Sequence, residues 1–556
     1  MTFYKAMKID YIIYNGSIYS ADKDDTVYEA LAVSGNKIFA VGSNNEILNL
    51  KDEDTILIDM KGNSLIPGIN DGHNHPWEAG LMLDGLILFG IDSIKELQNR
   101  IAAKVKELPE GSWIQGGSYI ESQFIENRKP TRWDLDAAAP NNGVVLERIF
   151  GACVANTKAL EAANITKDTP NPENGEIEKD EKTGEPTGVL NGTAVLLVRA
   201  VMPGPFGSDE FGAGNGDPSV DLLEKSIKLA FNEYIKYGIT SSAEPGVSSD
   251  VCKAYHNLLR NGELKCRVNL LLNWHGFTIK QNESQLDKLI GSYNFSAGFG
   301  NEWLMYSGLK MAIDGGLTSG TALKSWPYYG ETEIRKFNLR LDLNKLEKWV
   351  KEAHDNGWNV AIHVMGDIAI EKAVDAIYKA VMSNPRKHQH QIVHAYFPSK
   401  ESLRKMQEAK IMVTVQPAFI YGEADGYDKL LPKDKREEFL PLKTYINNGI
   451  TASMSTDMPC AHFNPFWNMY SAVTRKGMRG YCLGTEECVT VKEAVKMMTY
   501  NGACLTDEQN IKGSIEPGKL ADLVLLNVNL DDIEHEKIRD IMPVMTMING
   551  KIAYKK

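Results

Sequence analysis

The feature that most constrains this chain is a rhythm. From Leu343 to Ser455, short apolar runs alternate with amphipathic stretches of helical spacing. Leu343 to Asn356 carries Leu343, Leu346, Trp349, Val350 and Ala353 on one helical face, and Trp358 to His363 follows as a strand. The same reading predicts helix over Ile370 to Ala380, strand over Gln391 to Ala395, helix over Leu403 to Ala409 and strand over Ile411 to Val415. Leu442 to Asn448 then reads as helix and Thr451 to Ser455 as strand. This alternation requires parallel strands joined by crossover helices. A barrel and an open sheet satisfy it equally.

The two ends have a different texture. Asp10 to Tyr14 is a short apolar strand closed by Asn15-Gly16, and Ala30 to Val33 with Lys37 to Val41 reads as a hairpin around Ser34-Gly35-Asn36. Strand patterns return over Asp522 to Leu526, Val544 to Ile548 and Lys551 to Tyr554, the last two around Asn549-Gly550. Neither end has enough residues for a core of its own, so the two are expected to pack together as one small β domain. Two internal stretches interrupt the rhythm. Met202 to Pro218 holds five Gly and three Pro and is read as a lid or an insertion. Glu173 to Pro186 is charged and Gly-punctuated, and is expected to be an exposed hairpin.

Composition narrows the class. The 556 residues include 61 Lys plus Arg and 73 Asp plus Glu, giving a net charge of −12. An acidic chain without a basic run argues against non-specific nucleic-acid binding. No apolar stretch approaches the ~18–20 residues of a membrane span, so no membrane partner is expected. No secretory signal is expected at the N-terminus. Seven cysteines, an odd number without a Cys-x-x-Cys, fit a reducing cytosol better than a disulfide framework. The expected partner is a small-molecule substrate and the expected location is cytoplasmic.

Potential metal ligands gather at the ends of strand-like runs. His73 and His75 lie in Pro67-Gly68-Ile69-Asn70-Asp71-Gly72-His73-Asn74-His75. In extended chain, residues two apart point the same way, so both imidazoles can reach one ion. His363 ends Val360-Ala361-Ile362, His394 ends Gln391-Ile392-Val393, and Asp457 follows Ala452 to Thr456. In a parallel α/β fold these strand ends meet on the face where sites form. Four His and one Asp converging there make a divalent-metal site, with zinc the first expectation. Trp77, Trp326, Tyr328, Phe419 and Tyr421 follow these strands and are candidates to line a substrate mouth suited to an apolar or aromatic group. His462 is a further candidate for substrate contact. His388 and His390 are expected on a solvated loop.

Pro-Gly-x-x-Asp-x-His-x-His is similar to the signature of the amidohydrolase superfamily, and Gly513 to Val524 resembles its return into a β domain. Pro130 to Asp136, Gly184 to Gly188, Leu309 to Gly315, Ile362 to Asp367 and Val415-Gln416-Pro417 together resemble the YtcJ-like, N-substituted formamide deformylase branch. The resemblance implies an α/β fold: a (β/α)8 TIM barrel over residues 66–508, with inserted loops including 202–218. It also implies a small composite β-sandwich from residues 1–65 and 509–556. It implies a metal-dependent hydrolase acting on a non-peptide C–N bond, of N-formyl or N-acyl amide type. His73, His75, Lys310, His363, His394 and Asp457 match the family's metal positions. Asp457, His363 and His394 match its catalytic ones. One or two divalent ions per chain are implied. In binuclear members the lysine at the Lys310 position is carboxylated, because an ammonium has three donors and no acceptor, whereas a carbamate offers two anionic oxygens. The alternative for Lys310 is a buried salt bridge to Asp314 or Glu244.

The implied mechanism is attack on a carbonyl or amidine carbon by hydroxide formed from metal-held water, whose pKa falls from about 15.7 to about 7. Asp457 would take the proton and pass it to the leaving nitrogen. Two competing readings are a deaminase or cyclic-amide hydrolase with the same metal chemistry, and a non-catalytic binding barrel. The complete His and Asp set argues against the second. No Gly-x-Ser-x-Gly elbow supports a serine hydrolase. A homo-oligomer is compatible with the resemblance, and nothing in the sequence fixes a symmetry. Relatives often carry His where Ala152 stands and Glu where Asn191 stands, which weakens any transfer of substrate identity.

Overall fold

Eight parallel strands form the centre of the molecule. The structure is a computed structural model that describes residues 8–148, 152–173, 175–202, 218–275, 290, 295–335 and 339–556. The strands are β1 (Ile69–Asp71), β2 (Ile239–Val247), β3 (Arg267–Asn273), β4 (Leu304–Ala312), β5 (Val360–Val364), β6 (Gln391–His394), β7 (Met412–Val415) and β8 (Ala452–Met454). Each pairs in parallel with its neighbour in sequence order. The expected elements from Leu343 onward fall where the periodicity placed them, to within a few residues. Helices Leu343–Asp355, Asp367–Ser383, Lys400–Ala409 and Leu442–Asn447 alternate with β5 to β8.

The local reasons are ordinary ones. Asp342 and Ser399 cap the helices they precede, each side-chain oxygen accepting from a first-turn N–H. The helix Asp367–Ser383 buries Ala369, Ile370, Ala373, Val374, Ile377, Ala380 and Val381, spaced three and four apart, as one apolar stripe. β5 is buried along its whole length, as a central parallel strand covered on both faces must be.

Side chains and turns complete the ring between β1 and β8. Asp71 accepts from the Thr456 N–H (3.0 Å) and the Thr456 hydroxyl (2.5 Å). The Asp457 N–H donates to the His73 carbonyl at 2.9 Å, and the His75 N–H to Met458 at 3.0 Å. Gly72 stands at this seam; a Cβ there would lie 2.8 Å from Leu505 and 3.2 Å from the Ser453 hydroxyl. Ala243, Leu271, Ala361 and Val393 pack together inside the barrel. On its floor Lys512 pairs with Glu508 at 2.9 Å and donates to Ser241, while Asn269 donates to Glu508.

The two chain ends share sheets and a core. Ser64–Pro67 runs antiparallel to Leu523–Leu526, in a six-stranded sheet that also holds Ser17–Tyr19, Val27–Tyr28, Pro543–Ile548 and Lys551–Lys555. A second sheet of four strands, Tyr11–Tyr14, Ala30–Ser34, Lys37–Gly42 and Ile56–Asp59, packs against it through Ile13, Leu31, Leu65, Leu523 and Met547. Arg267 at the start of β3 anchors this unit to the barrel. Its guanidinium meets Asp522 at 2.7 and 3.1 Å, and both side chains are buried.

The sequence rhythm had not signalled one further layer. Between β1 and β2 the chain builds a six-stranded sheet from Leu86–Ile87, Ile114–Tyr119, Val144–Arg148, Ala152–Ala155, Gly175–Lys179 and Pro186–Gly192. It has its own apolar clusters, one around Leu97, Leu135 and Leu146 and another around Leu160, Leu190 and Val198. The hairpin expected over 173–186 forms its edge, with Ile177 facing Leu190. The Gly- and Pro-rich stretch 203–217 lies outside the described residues. Among those described, no helix is long and apolar enough to cross a membrane, and all seven cysteines are free thiols.

Candidate metal centre

The C-terminal ends of β1, β5, β6 and β8 bring the predicted ligands to one mouth. His73 and His75 leave β1 with alternating side chains. Both rings face Asp457, each Nε2 standing 3.5 Å from its Oδ1. Asn74, between them, points the other way and donates to Asp71 and to the Thr456 hydroxyl, both at 2.7 Å. Tyr234 fixes the amide by donating to its oxygen at 2.5 Å. One donor atom from each of His73, His75 and Asp457 lies within 4.8 Å of the others, and all three residues are buried.

His363 and His394 stand beside this trio. His363 Nδ1 and His394 Nε2 are 2.9 Å apart, and the His73 and His394 rings make an edge contact at 5.7 Å. His394 Nδ1 lies 2.7 Å from Gln416 Oε1, and Gln416 donates onward to the Ser455 hydroxyl at 2.8 Å. An amide oxygen can only accept, so His394 carries its proton on Nδ1 and turns the Nε2 lone pair toward His363. His394 and Asp457 have left-handed backbones, at φ 75° and 55°. Such non-glycine conformations cost energy and concentrate where side-chain aim matters.

The electrostatics favour nitrogen lone pairs. Burial, then the positive charge of Lys310, holds His73 well below the ordinary imidazole value. Burial does the same to His363, with His394 and Lys310 adding to it. His394 is pushed down to about 4, mainly by burial. His75 goes the other way: burial works against its charge, but the Asp457 carboxylate, with Glu78 and Glu244 nearby, raises it. Lys310 on β4 is wholly buried, close enough to His73, His363 and His394 to bias all three. Asp314 accepts from the N–H groups of Leu323, Met365 and Gly366 at 2.8 to 3.0 Å. Glu244 accepts from the Tyr255 hydroxyl.

A pocket opens beside the cluster. Phe419 lines it and stacks on His394 with ring centres 6.1 Å apart. Tyr421 and Trp467 also line it, as do Phe89 and Ile120 from the inserted layer. Of the other aromatic candidates, Trp77 is buried in the first turn of the helix after His75. Trp326 packs against Phe397, and Tyr328 donates to the Leu317 carbonyl. His462 sits one layer back, against Phe463, Trp467 and Phe89.

The expectation for His390 needs correction, whereas His388 is half-buried on the loop before β6. His390 is wholly buried rather than on a solvated loop, with Nε2 2.8 Å from His354 Nδ1 and Nδ1 accepting from the Val360 N–H at 3.0 Å. Residues just before β6 are drawn under the helix Leu343–Asp355. Sequence reasoning also passed over Gln416, Glu423 and Arg148 as site residues. Gln416 stood in a quoted motif, and its place two residues after the buried Thr414 is the signal that could have found it. Ala152 and Asn191, the two departures from the resembled pattern, are cross-strand partners in the inserted sheet.

The comparisons agree with this architecture. A model described as the amidohydrolase family matches residues 57–554. YtcJ of Bacillus subtilis (strain 168) is 29% identical over 98% of this chain and 99% of its own. The N-substituted formamide deformylase of Arthrobacter pascens is 26% identical over 98% of each chain. A solved structure of an uncharacterized metal-dependent hydrolase from Pyrococcus horikoshii OT3 superposes with a TM-score of 0.70 at 24% identity. It covers 95% of this chain and 99% of the other.

Proposed function

We propose, on the premise that this chain belongs to the amidohydrolase family, that it is a metal-dependent hydrolase cleaving a non-peptide C–N bond of amide type in a small molecule. The observation that carries the reading is the convergence of His73, His75 and Asp457 donor atoms within 4.8 Å of one another at the barrel mouth. Two imidazoles and a carboxylate suit zinc and leave a coordination position open. His73, His75 and Asp457 would hold one ion. His363 and His394 would add ligands to it or to a second. Their facing nitrogens share a hydrogen bond at 2.9 Å, so holding an ion would displace the proton between them.

A divalent ion there supplies Lewis acidity toward a carbonyl oxygen and toward water. The chain's own residues do the rest. Asp457 accepts the proton released by water and carries it to the leaving nitrogen. Gln416 keeps His394 in the tautomer whose Nε2 faces the cluster. Phe419 and Tyr421 exclude bulk water and seat an apolar substituent on the nitrogen or acyl side. Lys310, buried among the histidines, is a candidate for carbamate formation: a neutral Nζ would add to carbon dioxide and lose a proton, and the carbamate oxygens would offer metal ligands that an ammonium cannot.

Elemental analysis of protein purified without added metal or chelator tests the centre. About two divalent ions per chain, falling to one in Lys310→Ala, would support the bridging carbamate. About one in both would retain the hydrolase without it. None, after zinc or manganese is supplied, would overturn the reading. A panel of N-formyl and N-acyl amides identifies the bond, since release of formate or another acid supports it and release of ammonia alone indicates a deaminase.

A further inference from the structure

The pocket beside the metal centre is mostly apolar; besides Cys460, its polar side chains are Gln123, which donates to the Gly422 carbonyl at 2.7 Å, and Glu423. Glu423, on the helix Ala418–Leu430 that follows β7, is 2% exposed and lines the pocket with Phe89, Ile120, Phe419, Tyr421 and Trp467. Its Oε1 has no hydrogen-bond partner among the described residues. A buried carboxylate oxygen is a strong acceptor and costs free energy when no donor meets it.

The charges around Glu423 do not balance. Arg148, from the inserted sheet, donates to Glu121 at 2.6 Å and is thereby matched by one carboxylate. Glu423 lies within electrostatic reach of both. One guanidinium thus serves two carboxyl groups, and the second is left without a cation of its own among the described residues. The position is also apt for substrate. Phe419, against His394, separates the pocket from the metal donors by one ring. The Cys460 N–H, from another lining residue, donates to the Asp457 carbonyl at 2.7 Å.

From this juxtaposition we infer that the pocket selects a substrate arm that is apolar or aromatic and carries a nitrogen donor, a protonated amine above all, which donates to Glu423 Oε1. The inference rests on the hydrolase reading for its orientation: the scissile group lies at the metal centre and the aminated arm extends past Phe419. Glu423 is a specificity residue and takes no part in bond cleavage.

The test is binding, so it does not depend on turnover. Benzylamine and benzyl alcohol are titrated calorimetrically at about pH 8, where the Glu423 carboxyl is ionised, into the metal-loaded protein and into Glu423→Gln. A charge-assisted hydrogen bond predicts about tenfold or greater preference of the native protein for the amine, and loss of that preference in Glu423→Gln. Glu423→Asp, which keeps the charge, retains part of the preference and guards against a variant that fails to fold, as does a thermal melt of each protein. An amine preference that survives in Glu423→Gln overturns the inference and assigns the contact to the metal. Equal binding of the two probes to the native protein, as when water alone satisfies Glu423, overturns it as well. Amine selectivity in a protein that hydrolyses no amide would refute the hydrolase reading alone; hydrolysis indifferent to an amino group on the arm would refute only this inference.

Discussion

His363 Nδ1 and His394 Nε2, on adjacent barrel strands, face each other at 2.9 Å, and the far side of His394 is tied to Gln416 at 2.7 Å. The His394 ring is fixed by an amide that neither strand contributes, and that ring in turn accepts from His363.

Because Gln416 sets the His394 tautomer, Gln416→Leu should weaken metal binding by about 10–100-fold, the usual cost of losing a partner behind a histidine ligand. Competition with a chromogenic chelator measures this. Unchanged affinity would remove Gln416 from the centre.

Asp457→Asn keeps an oxygen beside His73 and His75 but cannot carry a proton. Turnover should fall by about 10²–10⁴-fold with metal content retained. Near-normal turnover on the best amide would sink the assignment of Asp457 as proton carrier.

Glu423 predicts a pH dependence of stability. Burial pushes its carboxyl up to about 7, opposed by Arg148 and by the Thr318 hydroxyl and reinforced by Glu121. The folded chain therefore holds a proton that the unfolded chain releases above the ordinary glutamate value of 4.5. This contribution is greatest at low pH and is lost as pH rises from 4.5 through 7. Glu423→Gln cannot ionise, so it should gain stability relative to the native protein between pH 5 and 8, by up to about 3 kcal/mol. Urea denaturation of both proteins across that range supplies the comparison; parallel pH curves would mean Glu423 stays ionised.

The Arg267–Asp522 pair joins the barrel to the terminal sheets, and breaking a buried pair strands a charge. Asp522→Ala should cost about 3–5 kcal/mol in chemical denaturation, whereas exposed pairs such as Lys8–Asp54 should cost less than about 1 kcal/mol. Earlier exchange of amides in Leu523–Leu526 than in β3 would locate the loosening at the joint.

The barrel from β5 to β8 was legible because its signal is local. Helical stripes such as Leu346, Trp349, Val350 and Ala353 repeat every three or four residues, and the buried strands between them are short apolar runs. His73 and His75 were legible through the two-residue period of extended chain. The packing together of the two ends was inferred from the inability of either to build a core alone, and the structure realises it by pairing Ser64–Pro67 with Leu523–Leu526. The inserted sheet was not legible, because its six strands are short and partly antiparallel and carry no common period.

By itself the sequence determined the parallel α/β class, the pooling of both ends into one β unit, and the residue types that could hold a metal. These depend on periodicity and on chemistry carried by single residues. The tertiary structure decided which of them meet. It closed the ring with Asp71 on Thr456, brought Asp457 to 3.5 Å from two histidines 382 and 384 positions away, and turned Gln416 behind His394. It also laid the inserted layer over the mouth, so that Ile120 and Phe89 share a pocket with Glu423. Contacts across hundreds of residues are set by how whole layers pack, and no local pattern in the chain encodes that packing.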